Sequence, residues 1–278
     1  MIDAVSRRRA LVALTLFACA AAACAQQPAK EEFKPYVGLP GKDVIWLPAE
    51  LVMVNKMIEL AKVTADDVVM DLGSGDGRTV IQAGKRGARG IGVEYNPDLV
   101  AHSRKLVQQE GVAERVKIEG GDLFAYDLSQ ATVITLFLLP SINIKLRPKL
   151  LDLKPGTRIV SNTFTMDEWQ HDETTRDTSQ GDNCSFNCVA YLWIIPAKVA
   201  GNWRLGDGQL LLKQEFQMVS GTLKTGRKSV PVKGRLRGDQ ISFKAGGTQY
   251  TGRVNEGAMT GSFSAGGKSG QWKAARAG

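Results

Sequence analysis

The stretch Asp71-Leu72-Gly73-Ser74-Gly75-Asp76-Gly77-Arg78 constrains this chain more than any other. It follows the short apolar run Val68-Val69-Met70 and leads into Thr79-Val80-Ile81-Gln82-Ala83, which can begin a helix. A strand, a glycine turn and a helix N-terminus in that order make a nucleotide-type pocket. The glycines allow a tight turn and let a ligand approach the backbone with no Cβ in the way. A dinucleotide fold requires G-x-G-x-x-G, with pyrophosphate on the helix N–H groups. Here the order is Asp-x-Gly-x-Gly-x-Gly, and carboxylates at Asp71 and Asp76 would repel a pyrophosphate. They suit a ligand with a cationic amino-acid end and no phosphate, such as S-adenosylmethionine.

Two further acids fit that ligand. Arg89 to Pro97 reads as a second strand ending at Glu94, 23 residues after Asp71. A carboxylate there can accept both hydroxyls of an unphosphorylated ribose. Val116 to Phe124 gives a third strand with Asp122 at its end, placed to take the adenine amino group while Leu123 or Phe124 covers the ring. Singly, each acid has a plain alternative, such as a turn-stabilising role for Asp71 or a helix cap before Pro97 for Glu94. Three acids at three successive strand ends form a specific pattern. The expected donor-side set is Asp71, Gly73, Ser74, Gly75, Asp76, Gly77, Glu94, Tyr95, Asp122 and Leu123.

At 278 residues the chain has room for one large domain or two modest ones. Residues 1–25 are read as an export signal: Arg7-Arg8-Arg9 precedes the apolar run Ala10 to Ala23, and Ala23-Cys24-Ala25 offers a small-residue cleavage site before Gln26. The run is short and alanine-rich for a membrane span. Ser6-Arg7-Arg8 partly resembles a twin-arginine signal. Leu16 to Cys19 and Ala21 to Cys24 each resemble a lipoprotein cleavage box, which admits a lipid anchor. The expected location is therefore the periplasm or cell envelope, with no integral span. S-adenosylmethionine is made in the cytosol, so either the donor reaches the envelope, or the protein leaves with it bound, or a fraction stays inside. Cleavage after Ala25 leaves Cys184 and Cys188, for which a local disulfide is expected in an oxidising compartment, with two free thiols as the alternative. A metal site is not expected, since His102 and His171 are the only histidines.

Charge is unevenly spread. Residues 200–278 carry 13 Lys and Arg against 4 Asp and Glu, a balance of +9, while residues 1–199 balance at −1. The basic region suits an anionic partner such as a membrane surface, a cell-wall polymer, nucleic acid or an acidic protein, or simply a solvated surface.

The segment from 26 to 65 reads as a flexible lead (Gln26 to Lys42) and a capping helix from about Ala49 to Ala61. Residues 66–199 alternate strand and helix. Pro97 to Gln109 is a helix, Ala131 to Leu139 a strand buried on both faces, Asn143 to Leu151 a short helix, Thr157 to Phe164 a fifth strand, and Val189 to Pro196 a strand ending the sheet. This is a doubly wound Rossmann-like α/β fold with its ligand at the carboxyl ends of the strands. Residues 200–278 change character: short alternating segments punctuated by glycines predict a small antiparallel β meander or barrel. Trp203 and Trp272 would close its core, or else serve as aromatic platforms for a sugar or base.

Methyl transfer from a sulfonium is an in-line displacement whose main demand is alignment of an unprotonated nucleophile. After the fourth strand the chain reads Leu138-Leu139-Pro140-Ser141-Ile142-Asn143, with none of the Asn/Asp-Pro-Pro-Tyr that would clamp an adenine or an amide, and no catalytic base is evident. Residues from about Trp46 to Trp169 resemble class I S-adenosylmethionine-dependent methyltransferases. Within these they resemble the lysine methyltransferases that act on the ATP synthase c-subunit, and their bacterial and archaeal relatives. The resemblance rests on Asp71 to Arg78, Glu94 to Val100, Gly121 to Phe124, Leu146 to Leu150, Pro155 to Ser161, and Phe164-x-x-x-x-Trp169. It implies donor binding by Asp71, Gly73, Gly75, Glu94 and Asp122, and lysine as acceptor. The export signal, the missing membrane-anchor helix and the basic C-terminal sheet depart from the c-subunit enzymes. Asn143, Asn162 and Trp169 are the acceptor-side candidates, against readings as a helix cap, a strand polar residue and a core aromatic. A protein lysine is the expected acceptor. The alternatives are a small molecule or envelope component, with the sheet as a lid or dimer contact, or a binding module with a vestigial pocket.

Overall fold

The computed structural model describes residues 33–179, 181, 184 and 186–277, so the expected signal and most of the lead lie outside the described residues. After an irregular segment come α1 (Leu51–Leu60), β1 (Val68–Leu72), α2 (Arg78–Lys85), β2 (Arg89–Glu94), α3 (Pro97–Gln109), β3 (Val116–Gly120) and β4 (Val133–Leu136). Then follow α4 (Pro140–Leu151), β5 (Arg158–Asn162), β6 (Glu173–Arg176) and β7 (Val189–Ile194). These seven strands form one sheet in the order β3-β2-β1-β4-β5-β7-β6. The five strands β1 to β5 are parallel, and β7 runs antiparallel to both β5 and β6. Every residue of β1 and β4 is buried, as a parallel strand covered by helices on both faces requires. Met53, Val54, Met57 and Ile58 of α1 recur at helical spacing and pack with Val69, Val133 and Val160 on one face. The crossovers leave the carboxyl ends of β1, β2 and β4 facing one cleft, at the point where strand order reverses.

Several boundaries differ from the sequence reading. β4 is four residues, because Phe137 and Leu138 turn away to line the cleft and are no longer paired. α4 starts at Pro140 rather than Asn143, since a proline's fixed φ and missing N–H suit a first helical turn. β7 does not end the sheet: β6 lies outside it as a half-buried edge strand, and Glu-Thr-Thr-Arg has no apolar alternation to announce it. The lead is ordered where it is described. Leu39 N–H donates to Tyr36 O (3.0 Å), Trp46 N–H to Leu39 O (2.8 Å) and Gly38 N–H to Trp46 O (3.0 Å), so these residues form a closed strap.

The basic region is an eight-stranded antiparallel barrel built of β8 (Gly201–Leu205), β9 (Gly208–Glu215), β10 (Met218–Thr225) and β11 (Lys228–Arg237), then β12 (Gln240–Ala245), β13 (Thr248–Asn255), β14 (Ala258–Ala265) and β15 (Lys268–Arg276). Each strand pairs with the next and β15 closes on β8, so no edge remains. Trp203, Leu212, Val232, Phe243, Met259 and Trp272 fill the interior. Phe243 stacks on Tyr250 at 4.7 Å and meets Trp272 edge-on at 5.5 Å. A Cβ at Gly252 would lie 2.8 Å from Cζ2 of Trp272, so the indole occupies space only glycine leaves. Its N–H donates to Thr251 O (3.0 Å) and Ser262 O (3.1 Å). Both barrel tryptophans are thus core residues, and neither offers a face to a sugar or base.

The barrel docks on the sheet through the β9–β10 and β11–β12 turns. Phe216 stacks on Trp169 at 5.7 Å with the Arg147 guanidinium on its ring. Gln217 accepts from the Trp169 indole N–H (2.9 Å) and donates to Gln170 O (2.6 Å). Arg235 pairs with Asp172 at 2.6 Å, and Arg237 pairs with Glu173. Ala197 N–H donates to Gly238 O (2.8 Å), and Gly238 rests against Gly156, just before β5 begins. The junction therefore lies at the amino ends of the parallel strands. Gln217→Ala would leave the buried Trp169 N–H unpaired, at a cost of about 1–3 kcal/mol. A fall of several degrees in the melting temperature of the full chain is expected, and an unchanged midpoint would mean the junction adds nothing to stability.

Candidate active site

The glycine turn after β1 is shaped by backbone that side chains resist: Gly73, Gly75 and Gly77 have φ of 75°, 55° and 79°. Gly73 and Ser74 N–H groups both donate to Val93 O (2.8 and 3.0 Å), which clamps the turn against β2. Glu94 completes the clamp. One carboxylate oxygen accepts from Gly75 N–H (2.8 Å) and the other from Asn96 N–H (2.9 Å). The helix-cap role belongs to Asn96, whose side chain accepts from Asp98 N–H (2.9 Å) at the start of α3. Glu94 is left facing the cleft with free lone pairs.

Asp71 is buried beneath the turn. Thr135 Oγ1 donates to it at 2.6 Å, Thr79 adds a second side-chain bond, and the charges acting on it are the acids Asp76 and Glu94. Burial, aided by those acids, pushes its carboxyl up to about 7. A buried acid supplied with hydroxyls and further acids, next to a glycine cradle, is complementary to an ammonium group. Asp76 takes a different role: both its oxygens hold Arg78, and Arg78 Nη1 reaches on to Ala49 O (2.7 Å), tying the turn to the start of α1. Ser74 is buried with its hydroxyl against Gly92, so it contributes backbone to the turn.

Asp122 accepts from Phe124 N–H (2.9 Å) and from Lys42 Nζ (2.7 Å), and the lysine holds its carboxyl below the usual range. Lys42 also lies over the Tyr95 ring at 5.0 Å. The strap thus reaches across the cleft, and a Cβ at Gly75 would lie 2.2 Å from the Trp46 indole nitrogen. The cleft is lined by Gly73, Glu94, Tyr95, Asp122, Leu123 and Phe137, with the strap residues Lys42 to Leu47. Glu94 and Asp122 line this cleft and Asp71 lines the pocket beside it, with Gly73 common to both, an arrangement that fits an amino-acid end, a ribose and a base in sequence.

The acceptor-side candidates are placed differently. Trp169 is 1% exposed and its N–H is taken by Gln217, so it belongs to the domain junction. Asn143 is buried on α4, and its amide donates to Ser161 Oγ (3.2 Å) and Thr165 O (3.3 Å), holding the turn after β5. Asn162 donates to Asn187 Oδ1 (2.7 Å). All three position backbone or core. Sequence reasoning missed Lys42, Trp46 and Phe137. The first two come from 30 to 80 residues away in the chain, and Phe137 was absorbed into an apolar run read as strand. Among the described residues no cluster of His, Cys, Asp and Glu is arranged to hold a metal, and no helix is long and apolar enough to cross a membrane.

A family model described as the ANTKMT methyltransferase domain matches residues 71–173. A protein-lysine N-methyltransferase of Saccharolobus islandicus is 39% identical over 164 residues, which take in 58% of this chain and 93% of that protein. The human lysine N-methyltransferase of the ATP synthase c-subunit is 32% identical over 131 residues, so this chain spans 56% of its length. Among solved structures, an RNA methyltransferase from Salinibacter ruber in complex with S-adenosyl-L-homocysteine is 46% identical, with a TM-score of 0.51 over 55% of this chain and 96% of that one.

The raised Asp71 carboxyl sets a pH dependence. In the free protein the folded chain holds a proton between the ordinary value of 3.8 and about 7 that the unfolded chain has released. Stability from this group therefore falls as pH rises across that window and is level above it. Binding of an ammonium-bearing donor requires the ionised form, so affinity rises through the same pH range. Calorimetric titration with S-adenosylmethionine should show affinity rising severalfold from about pH 5 to pH 7 as Asp71 ionises, then falling above about pH 8 as the donor's own α-amino group loses its proton. Asp71→Asn should bind weakly with no such rise, and a flat profile in the wild type would remove Asp71 from the ammonium site.

Proposed function

From its membership of the class I S-adenosylmethionine-dependent methyltransferases, in the family that holds the lysine enzymes described above, we propose that this chain methylates lysine side chains of proteins. The observation that carries the reading is the 39% identity to the archaeal lysine enzyme across 93% of that protein's length. The rim of the cleft agrees with it. Ile45, Tyr95, Leu139 and Phe186 are exposed large apolar side chains on the strap and on the loops next to β2, β4 and β7. Such a rim suits docking of a protein surface. Leu138 and Pro140 stand where an enzyme for adenine or amide nitrogen would carry a polar clamp.

Bound in the cleft, S-adenosylmethionine supplies a methyl carbon on a sulfonium. Asp71 holds the ammonium end, Glu94 accepts from the ribose, and Asp122 takes the base once Lys42 moves off it. The amine lone pair forms the new N–C bond, the C–S electron pair remains on sulfur, and the amine's proton passes to water. The chain needs no strong base for this, because an amine beside a sulfonium and out of bulk water loses its proton readily. Alignment is the protein's contribution.

We place the enzyme in the cell envelope. The pattern of residues 1–25 supports this, as does the disulfide that joins Cys184 and Cys188. The barrel supports contact with an anionic surface. Its cross-strand register sets Lys213, Ser220, Lys233, Lys244, Gln249, Ser264 and Ser269 in one polar row, with no acid in it.

Incubation of the purified chain with methyl-tritiated donor and envelope fractions should label protein and yield methyllysine on acid hydrolysis. The Salinibacter ruber relative's name makes RNA the necessary second arm. Label in RNA, or in a small extractable product, with none in protein would refute the lysine reading. Mass spectrometry of the native protein should find an N-terminus at Gln26 and an oxidised Cys184–Cys188 pair, whereas an intact N-terminus with free thiols would place it in the cytosol.

A further inference from the structure

Three phenylalanines meet beside the donor cleft. Phe137 follows β4, Phe164 follows β5 and Phe186 precedes β7, so all three stand at the carboxyl end of the parallel strands. Their ring centroids are 6.4, 5.8 and 6.2 Å apart, a closed triangle. Phe137 lines both the cleft that holds Asp122 and Leu138 and the adjoining pocket that holds Asp71, with Gly73 common to the two. Phe186 is 49% exposed, which opens one face of the triangle to solvent. An aromatic face thus continues directly from the donor site outward.

The face is held in place by a polar ring. Asn187 N–H donates to Thr163 Oγ1 (2.7 Å), Thr163 Oγ1 donates to Asn162 Oδ1 (3.0 Å), and Asn162 Nδ2 donates to Asn187 Oδ1 (2.7 Å). Asn187 Oδ1 also accepts from Glu50 N–H at 3.4 Å, so the start of α1 joins the same hub. Thr163 and Asn187 have φ of 67° and 56°. A β-branched threonine in the left-handed region is strained and persists where surrounding bonds enforce it. The disulfide between Cys184 and Cys188 brackets Phe186 and Asn187. Strain, hub and covalent bracket all act on the residues that present Phe186.

We propose that Phe137, Phe164 and Phe186 form the platform along which the acceptor lysine's side chain lies as its amine enters the donor cleft, with Phe186 presented by Asn187 and the Cys184–Cys188 bracket. The inference rests on the lysine reading above. Ring faces pack against the four methylenes of lysine and exclude water from the amine, which favours its neutral form. The same faces attract the methylammonium product, which remains a cation. No carboxylate is needed on this side of the cleft, and a buried one would hold the amine protonated.

The test uses the full chain with methyl-tritiated donor and poly-L-lysine as the acceptor probe. Phe186→Ala should raise KM for poly-L-lysine about tenfold, the equivalent of about 1.4 kcal/mol, with kcat within threefold and the calorimetric Kd for S-adenosylmethionine unchanged. Phe186→Tyr should restore KM, since it keeps the ring. Cys184→Ser with Cys188→Ser should shift KM in the same direction. Phe186 is half exposed, so folding is expected to survive, and a melting curve verifies it. An unchanged KM in folded Phe186→Ala overturns the platform while leaving lysine methylation standing, and so does a rise in donor Kd that matches the KM change. A wild-type chain that binds donor yet labels neither poly-L-lysine nor envelope protein overturns both readings.

Discussion

The site depends on one carboxylate bridging two loops. Glu94 accepts from Gly75 N–H with one oxygen and from Asn96 N–H with the other. The first bond fixes the glycine turn after β1, and the second fixes the chain just before Asn96 caps α3. Two backbone donors that would otherwise be stranded at the ends of neighbouring strands are satisfied by a group that also lines the cleft. Replacing it by an apolar residue would cost the turn its shape and the cleft a carboxylate. In a cleft of this kind structural and binding roles are not divided among residues.

The other acids show the opposite division. Asp76 holds Arg78, and through it the start of α1. Asp71 is kept in a low-dielectric position among hydroxyls and acids, at an energetic cost that a bound cation relieves. Asp122 is half-buried and already paired with Lys42. Three carboxylates within one short run of fold are therefore structural, poised and occupied in turn, and only the geometry distinguishes them.

Much of this was legible in the chain. Strand ends carrying Asp71, Glu94 and Asp122, the Asn96-Pro97 start of α3 and the closed meander after residue 200 follow from patterns that are local in sequence. β6 was not legible, since a polar four-residue edge strand is defined by its neighbour β7 rather than by its own pattern. The strap up to Lys42 was read as flexible because proline, glycine and charge predominate there, yet Lys42 meets Asp122 across 80 residues, and Trp46 beyond it lies on Gly75. Contacts of that range leave no periodic trace. Trp169 misled for a related reason: it sits inside a block that resembles acceptor-side sequence, and its partner Gln217 lies in another domain.

The position of the barrel has a consequence for kinetics. It contacts the chain before β5 and after β7, at the amino ends of the parallel strands, whereas the donor cleft opens at their carboxyl ends. At about 3.3 Å per residue, the length of the sheet separates the two. Any partner gripped by the barrel is therefore held at a set distance from the transferable methyl group. Such a grip acts through effective concentration, which depends on span and stiffness and not on contacts at the reacting atom. Lysines would then be sorted by how far they stand from the gripped surface more than by the residues beside them.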